Sequence, residues 1–145
     1  MIPKLNPHDA SDVLKSGGTA IYPTEGIYGL GCDPFNSKSV ENIFKAKGRS
    51  KNKSFIILGS DIKYFHNIID NTYFMDESLQ SESFTTWVVP SNVNCPPWLK
   101  KNDTVAIRLT KHETVKLLCG HMNAPIISTS ANLSNSQYDL SLIHI

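Results

Sequence analysis

The sequence predicts a single α/β domain, and three observations carry that expectation. Short apolar runs alternate along the chain with segments whose apolar residues recur at three and four. Helix-capping residues stand at the segment boundaries. A length of 145 residues fits one domain, large enough to bury about 68–70% of its unfolded surface without disulfides or a structural metal.

The elements follow in order. Asn6, Pro7 and Asp9 read as N-cap, first helical residue and first-turn carboxylate. Ala10, Val13 and Leu14 then share one face, and Gly17-Gly18 ends the helix. Thr19 to Tyr22 is a short strand closed by Pro23, and PTEGIYGLGCDPFN is a Gly-rich loop. Asn36 caps a second helix with Val40, Ile43, Phe44 and Lys47 on one face and Gly48 as its stop. Ser54 to Gly59 is a buried strand. Ser60 or Asp61 caps a third helix carrying Ile62, Phe65, Ile68 and Ile69. Residues 70–84 are polar and ambiguous. Thr85 to Val89 is a strand, Pro90 to Trp98 a loop, and Val105 to Leu109 a strand containing Arg108. A helix from His112 to Met122 turns Val115, Leu118 and Met122 inward. Pro125 to Thr129 is a strand that runs into the polar stretch SANLSNS. The alternation of strands and helices defines the class.

Composition excludes several functions. Fourteen basic and 13 acidic residues leave a net charge of +1, which argues against a polybasic nucleic-acid binder, although a local patch fits within a neutral total. No apolar run approaches the ~20 residues of a spanning helix. MIPKLNPHDASD has no signal-peptide layout. Cys32, Cys95 and Cys119 are odd in number and widely spaced, which reads as reduced thiols in a cytoplasmic protein. The five histidines form no H-x-H or H-E-x-x-H pair, so no zinc site is expected. GLGCD is neither a dinucleotide-binding fingerprint nor a Walker A loop.

Three segments carry candidate chemistry. Lys45, Lys47, Arg49, Lys51 and Lys53 place five cations in nine residues with no anion among them. A solvated helix terminus accounts for the first two. In an extended segment the last three point one way, which suits a polyanion such as a triphosphate. Ser128 to Ser134 ends a strand in hydroxyls and one amide, donors and acceptors that suit phosphate or ribose as well as an ordinary turn. Pro23 to Gly31 follows another strand end. Its glycines permit close backbone approach, and Thr24 and Tyr28 supply hydroxyls.

In order, the chain reads PTExxYGLGCDP, KGR with a later Lys, a T-W-V-x-P strand, VAIRL and STSANLS. This series resembles the YrdC-like family of threonylcarbamoyl-AMP synthases from about residue 7 to about residue 135. The resemblance implies a twisted mixed sheet with flanking helices and a concave basic cavity, and a cytoplasmic enzyme. Such an enzyme joins L-threonine, bicarbonate and ATP into threonylcarbamoyl-adenylate and releases pyrophosphate. Partner transferase proteins then modify tRNA next to the anticodon, and some members are associated with double-stranded RNA or tRNA. Carried residue by residue, the resemblance implies that Lys47 and Arg49 are catalytic. It assigns ATP to Lys47, Arg49, Lys53, Thr86, Ser130 and Asn132, and threonine to Thr24, Tyr28 and Arg108. Mg2+ is expected to arrive with ATP rather than in a protein-held site.

The chain departs from the family pattern at three places. Ser81 to Thr85 replaces a W-P-G-P-like run, and Ser50 stands where a proline is usual. SQYDLSLIHI does not match the family's continuation, so residues 1–145 are expected to lack a C-terminal part of the domain and to have weak or no activity. An RNA-binding module using the same cations, an inactive fragment, and a carbamoyl-transfer domain of the hydrogenase-maturation kind are the rival readings. Steep salt dependence of tRNA binding without ATP or threonine binding distinguishes the first.

Overall fold

The computed structural model describes residues 4–23, 28–48, 55–74, 79, 85–130 and 142–144. The helices are α1 (Pro7–Lys15), α2 (Ser37–Ala46) and α3 (Glu113–Met122). The strands are β1 (Thr19–Pro23), β2 (Tyr28–Cys32), β3 (Ile56–Gly59), β4 (Thr86–Pro90), β5 (Thr104–Leu109), β6 (Ile126–Ser130) and β7 (Leu142–His144). Among the described residues they form one mixed sheet in the order β4-β5-β3-β6-β2-β1-β7. The β3–β5 and β1–β7 pairs are parallel and the others antiparallel.

The capping pattern holds. The Asn6 side chain accepts the Asp9 N–H at 2.8 Å and Asn36 accepts that of Ser39 at 3.1 Å, each cap being worth about 1 kcal/mol. Gly48 ends α2 at φ +58, the left-handed region that glycine enters without cost.

Two expectations are corrected. The segment after Pro23 is not all loop, because Tyr28–Cys32 forms β2 and pairs with β1. Glycine hid this strand, since Gly29 and Gly31 weaken β-propensity. The structure shows why they are there: a Cβ on Gly31 would lie 2.2 Å from the Ile127 carbonyl oxygen and 2.8 Å from the Tyr22 ring. The expected third helix is a short 3-10 turn, Ile62–Phe65, capped by Asp61. Ile68 and Ile69 are buried as expected, but in non-helical chain, where Ile69 bridges to Ser91.

Side chains alternate between the two sheet faces, and each face has its own core. One core gathers Ile21, Leu30, Ile57, Val89, Val105, Ile107 and Ile127 with Val40, Ile43 and Phe44 of α2. The other gathers Ala20, Tyr22, Leu58 and Ile126 with Ala10 and Leu14 of α1 and Val115, Leu118 and Met122 of α3. Among the described residues no helix is long and apolar enough to cross a membrane.

Candidate functional site

The two faces are not equally covered. On the α2 side, Val105, Ile107 and Leu109 of β5 are all buried, as are Ile57 and Ile127 on neighbouring strands. On the other side, α1 and α3 cover the part of the sheet around Tyr22, Leu58 and Ile126. Beyond them the cover by described residues is partial. Thr104, Ala106 and Arg108 of β5 are only half-buried, and so are Thr86, Ile56 and Ser128. Val88 is 69% exposed. Pairing brings Val88, Ala106, Ile56 and Ser128 into one row across four strands. This row is an open floor of small and apolar side chains.

Ser130 ends β6 beyond one end of the floor, and Lys47 reaches that strand end from the α2 side of the sheet. Lys47 caps the C-terminus of α2. It lies four residues after buried Ile43 and so emerges on the core-facing side of the helix. Its ammonium donates to the Ser130 backbone carbonyl at 2.8 Å, where β6 ends. By alternation the Ser130 side chain shares the open face with Ser128. Lys45, by contrast, faces Glu41 at 3.6 Å on the exposed side of α2.

At the other end, Arg108 and Thr86 are directly paired across β5 and β4. The Thr86 hydroxyl oxygen accepts from Arg108 Nη2 at 2.6 Å and from Nε at 3.0 Å. Arg108 is level with Leu58, and Leu58 with Ile126, four residues before Ser130. At ~3.3 Å per residue and ~4.8 Å per strand, the two ends stand roughly 16 Å apart at Cα. The Ser130 strand end and the Thr86–Arg108 pair are therefore separate polar groups on that face.

Of the residues singled out in the sequence, Lys47 and Ser130 meet, and Thr86 and Arg108 meet. Tyr28 begins β2 opposite Pro23 and is 51% exposed. Alternation places its side chain on the α2 side with Leu30, across the sheet from the Ser130 side chain. Thr24, Arg49, Lys53 and Asn132 lie outside the described residues. Sequence reasoning missed the floor itself, although T-V-A-I-R-L of β5 already alternates small or polar with large apolar residues.

Lys47, Ser130, Thr86 and Arg108 include no carboxylate or imidazole, so this donor set does not fit a protein-held divalent cation. Among the described residues, the group with metal-ligand chemistry is His8, Asp9 and Asp12, exposed on α1.

The fold and these residues define an α/β domain with a partly exposed sheet face that carries the Thr86–Arg108 pair and the Ser130 strand end. A family model named Sua5_yciO_yrdC and described as telomere recombination matches residues 12–144, and the chain belongs to that family. It is 37% identical over 139 residues to a threonylcarbamoyl-AMP synthase of Hydrogenovibrio crunogenus, covering 91% of this chain and 75% of the relative. It is 39% identical over 137 residues to the threonylcarbamoyl-AMP synthase of Pseudoalteromonas translucida, covering 89% and 72%. The fold is similar to that of P. abyssi Sua5 in a crystal structure with L-threonine. The TM-score is 0.84 at 24% identity, over 99% of this chain and 49% of that one, so this chain spans about half of that protein.

Proposed function

We propose that this protein is a threonylcarbamoyl-AMP synthase, using L-threonine, bicarbonate and ATP. The observation that carries the reading is the Lys47–Ser130 contact. It joins the helix end of the K-x-R segment to the strand end of the S-x-N segment, in a chain 37–39% identical to relatives of that name.

In this reading the threonine amino nitrogen attacks the carbon of bicarbonate. Water leaves and a carbamate forms. A carbamate oxygen then attacks the α-phosphorus of ATP, the bond to the bridging oxygen breaks, and pyrophosphate departs with that electron pair. No covalent nucleophile of the protein is needed. The work is positioning and charge neutralisation. Lys47, with Arg49 and Lys53 from the same segment, offsets triphosphate charge. Lysine acts there as a point charge and arginine as a bidentate fork. Ser130 and Asn132 serve the nucleotide, and Thr24, Tyr28 and Arg108 serve threonine. Mg2+ enters as part of the MgATP substrate. The product would pass to transferase proteins acting on tRNA in the cytoplasm.

The test is pyrophosphate release by the purified chain with each substrate withheld in turn. A turnover, even a weak one, that needs threonine, bicarbonate and ATP together supports the reading. ATP cleavage indifferent to threonine overturns it, and so does a chain that releases no pyrophosphate and binds neither ATP nor threonine in calorimetric titration.

A further inference from the structure

The Thr86–Arg108 pair has a geometry that restricts what the arginine can do next. A guanidinium carries five N–H donors. The Thr86 oxygen occupies the side formed by Nε and Nη2, at 3.0 and 2.6 Å. Three N–H groups remain, and two of them form the end-on edge between Nη1 and Nη2. That edge matches a planar oxyanion bidentately. Among the described residues no carboxylate pairs with Arg108, although the side chain is half-buried on the open floor. A partly desolvated guanidinium with donors left over gains from a ligand that supplies the opposite charge.

We propose that Thr86 is a positioning residue that holds Arg108 by its Nε–Nη2 side and so presents the end-on edge to the carboxylate of the amino-acid substrate. The inference rests on the proposed synthase reading for the identity of that acid. It moves Thr86 from the nucleotide to the threonine end of the floor. The Cα separation of roughly 16 Å from Ser130 sets the pair apart from the strand end that Lys47 reaches. Threonine at position 86 is suited to the task. Its β-branch fits a strand, and its hydroxyl supplies the two acceptor lone pairs that the fork requires. Valine would keep the shape and lose the acceptor.

The experiment uses the full chain as wild type, Thr86→Val, Thr86→Ser and Arg108→Lys. The Arg108 Nε–H signal in the NMR spectrum, assigned by its loss in Arg108→Lys, reports the anchor without reference to activity. It is expected to be protected from exchange in wild type and Thr86→Ser, and exposed in Thr86→Val. Steady-state pyrophosphate release reports the consequence. Thr86→Val is expected to raise the threonine KM about tenfold or more, the loss of a charge-assisted bond, with the ATP KM within about twofold. Thr86→Ser should restore most of the threonine KM, and Thr86→Val should add nothing in the Arg108→Lys background. A protected Nε–H in Thr86→Val, a rise in the ATP KM alone, or equal failure of Thr86→Ser and Thr86→Val would overturn the proposal. If wild type releases no pyrophosphate, titration with acetate and with inorganic phosphate decides the positioning role apart from the synthase reading. Acetate shifting the arginine signals in wild type but not in Thr86→Val sustains it. A response to phosphate alone, or to neither anion, removes it.

Discussion

The Lys47 ammonium donates to the Ser130 carbonyl at 2.8 Å, joining residues 83 positions apart. The bond ties the end of α2 to the end of β6. It also holds a cation where the polar strand end begins.

Replacing that cation should separate chemistry from folding. Lys47→Ala is expected to lower pyrophosphate release by roughly 100- to 1000-fold, the loss of about 2.7–4 kcal/mol of barrier stabilisation. Its thermal midpoint should stay close to wild type, because the partner is a strand-end carbonyl that water can reach. Parallel kinetics and calorimetry check both halves.

Gly31→Ala should damage the sheet itself. The added carbon meets the Ile127 carbonyl oxygen at 2.2 Å and the Tyr22 ring at 2.8 Å, so β2 and β6 must separate. Overpacking of this kind costs about 1–3 kcal/mol. The same shift loosens the bond that the Tyr22 hydroxyl donates to Ile127 at 3.1 Å. A lower urea midpoint with an unchanged m-value is the expected result.

Two adjacent valines should behave differently. Val88 is 69% exposed and Val89 is 4% exposed. Val89→Ala should cost about 2 kcal/mol through lost burial and a residual cavity. Val88→Ala should stay within about 0.5 kcal/mol. Equal losses in chemical denaturation would mean that the open face is covered after all.

Stability should fall in alkali. Burial pushes the Cys95 and Cys119 thiols up from 9.0 to about 11 each, and pushes Cys32 and the Tyr22 hydroxyl higher still. In the unfolded chain these thiols ionise near 9 while the folded protein keeps its protons. The folded state therefore holds more protons above pH 9, and the slope of unfolding free energy against pH is negative. The thiol contribution is complete below pH 9 and lost as pH rises through 11. Urea midpoints at pH 8 and pH 10.5 measure it, and Cys119→Ala should reduce the difference while Cys32 and Cys95 keep the rest.

Local chemistry made much of the fold legible. Asn6 and Asn36 cap helices where their side chains predict, and the apolar runs at 56–59, 105–109 and 126–129 fall in strands. The two departures have one cause, tertiary context overriding local signal. Tyr22 packing against Gly29 and Gly31 makes a strand from glycine-rich chain. Ile68 and Ile69 are buried by the sheet and not by a helix of their own. The motif residues Lys47, Ser130, Thr86 and Arg108 could be picked out from the sequence. Their grouping as two separated pairs could not, because it depends on strand order, and β3 inserts between β5 and β6.

Alternation along β5 has an evolutionary consequence. Changes at Val105, Ile107 or Leu109 disturb buried packing and cost stability, whatever they do for chemistry. Thr104 and Ala106 belong to the intervening set, where substitutions can reshape what lies on the sheet while the hydrophobic interior is left intact. New substrate preferences can therefore accumulate on this scaffold one residue at a time, without first requiring a compensating stabiliser elsewhere.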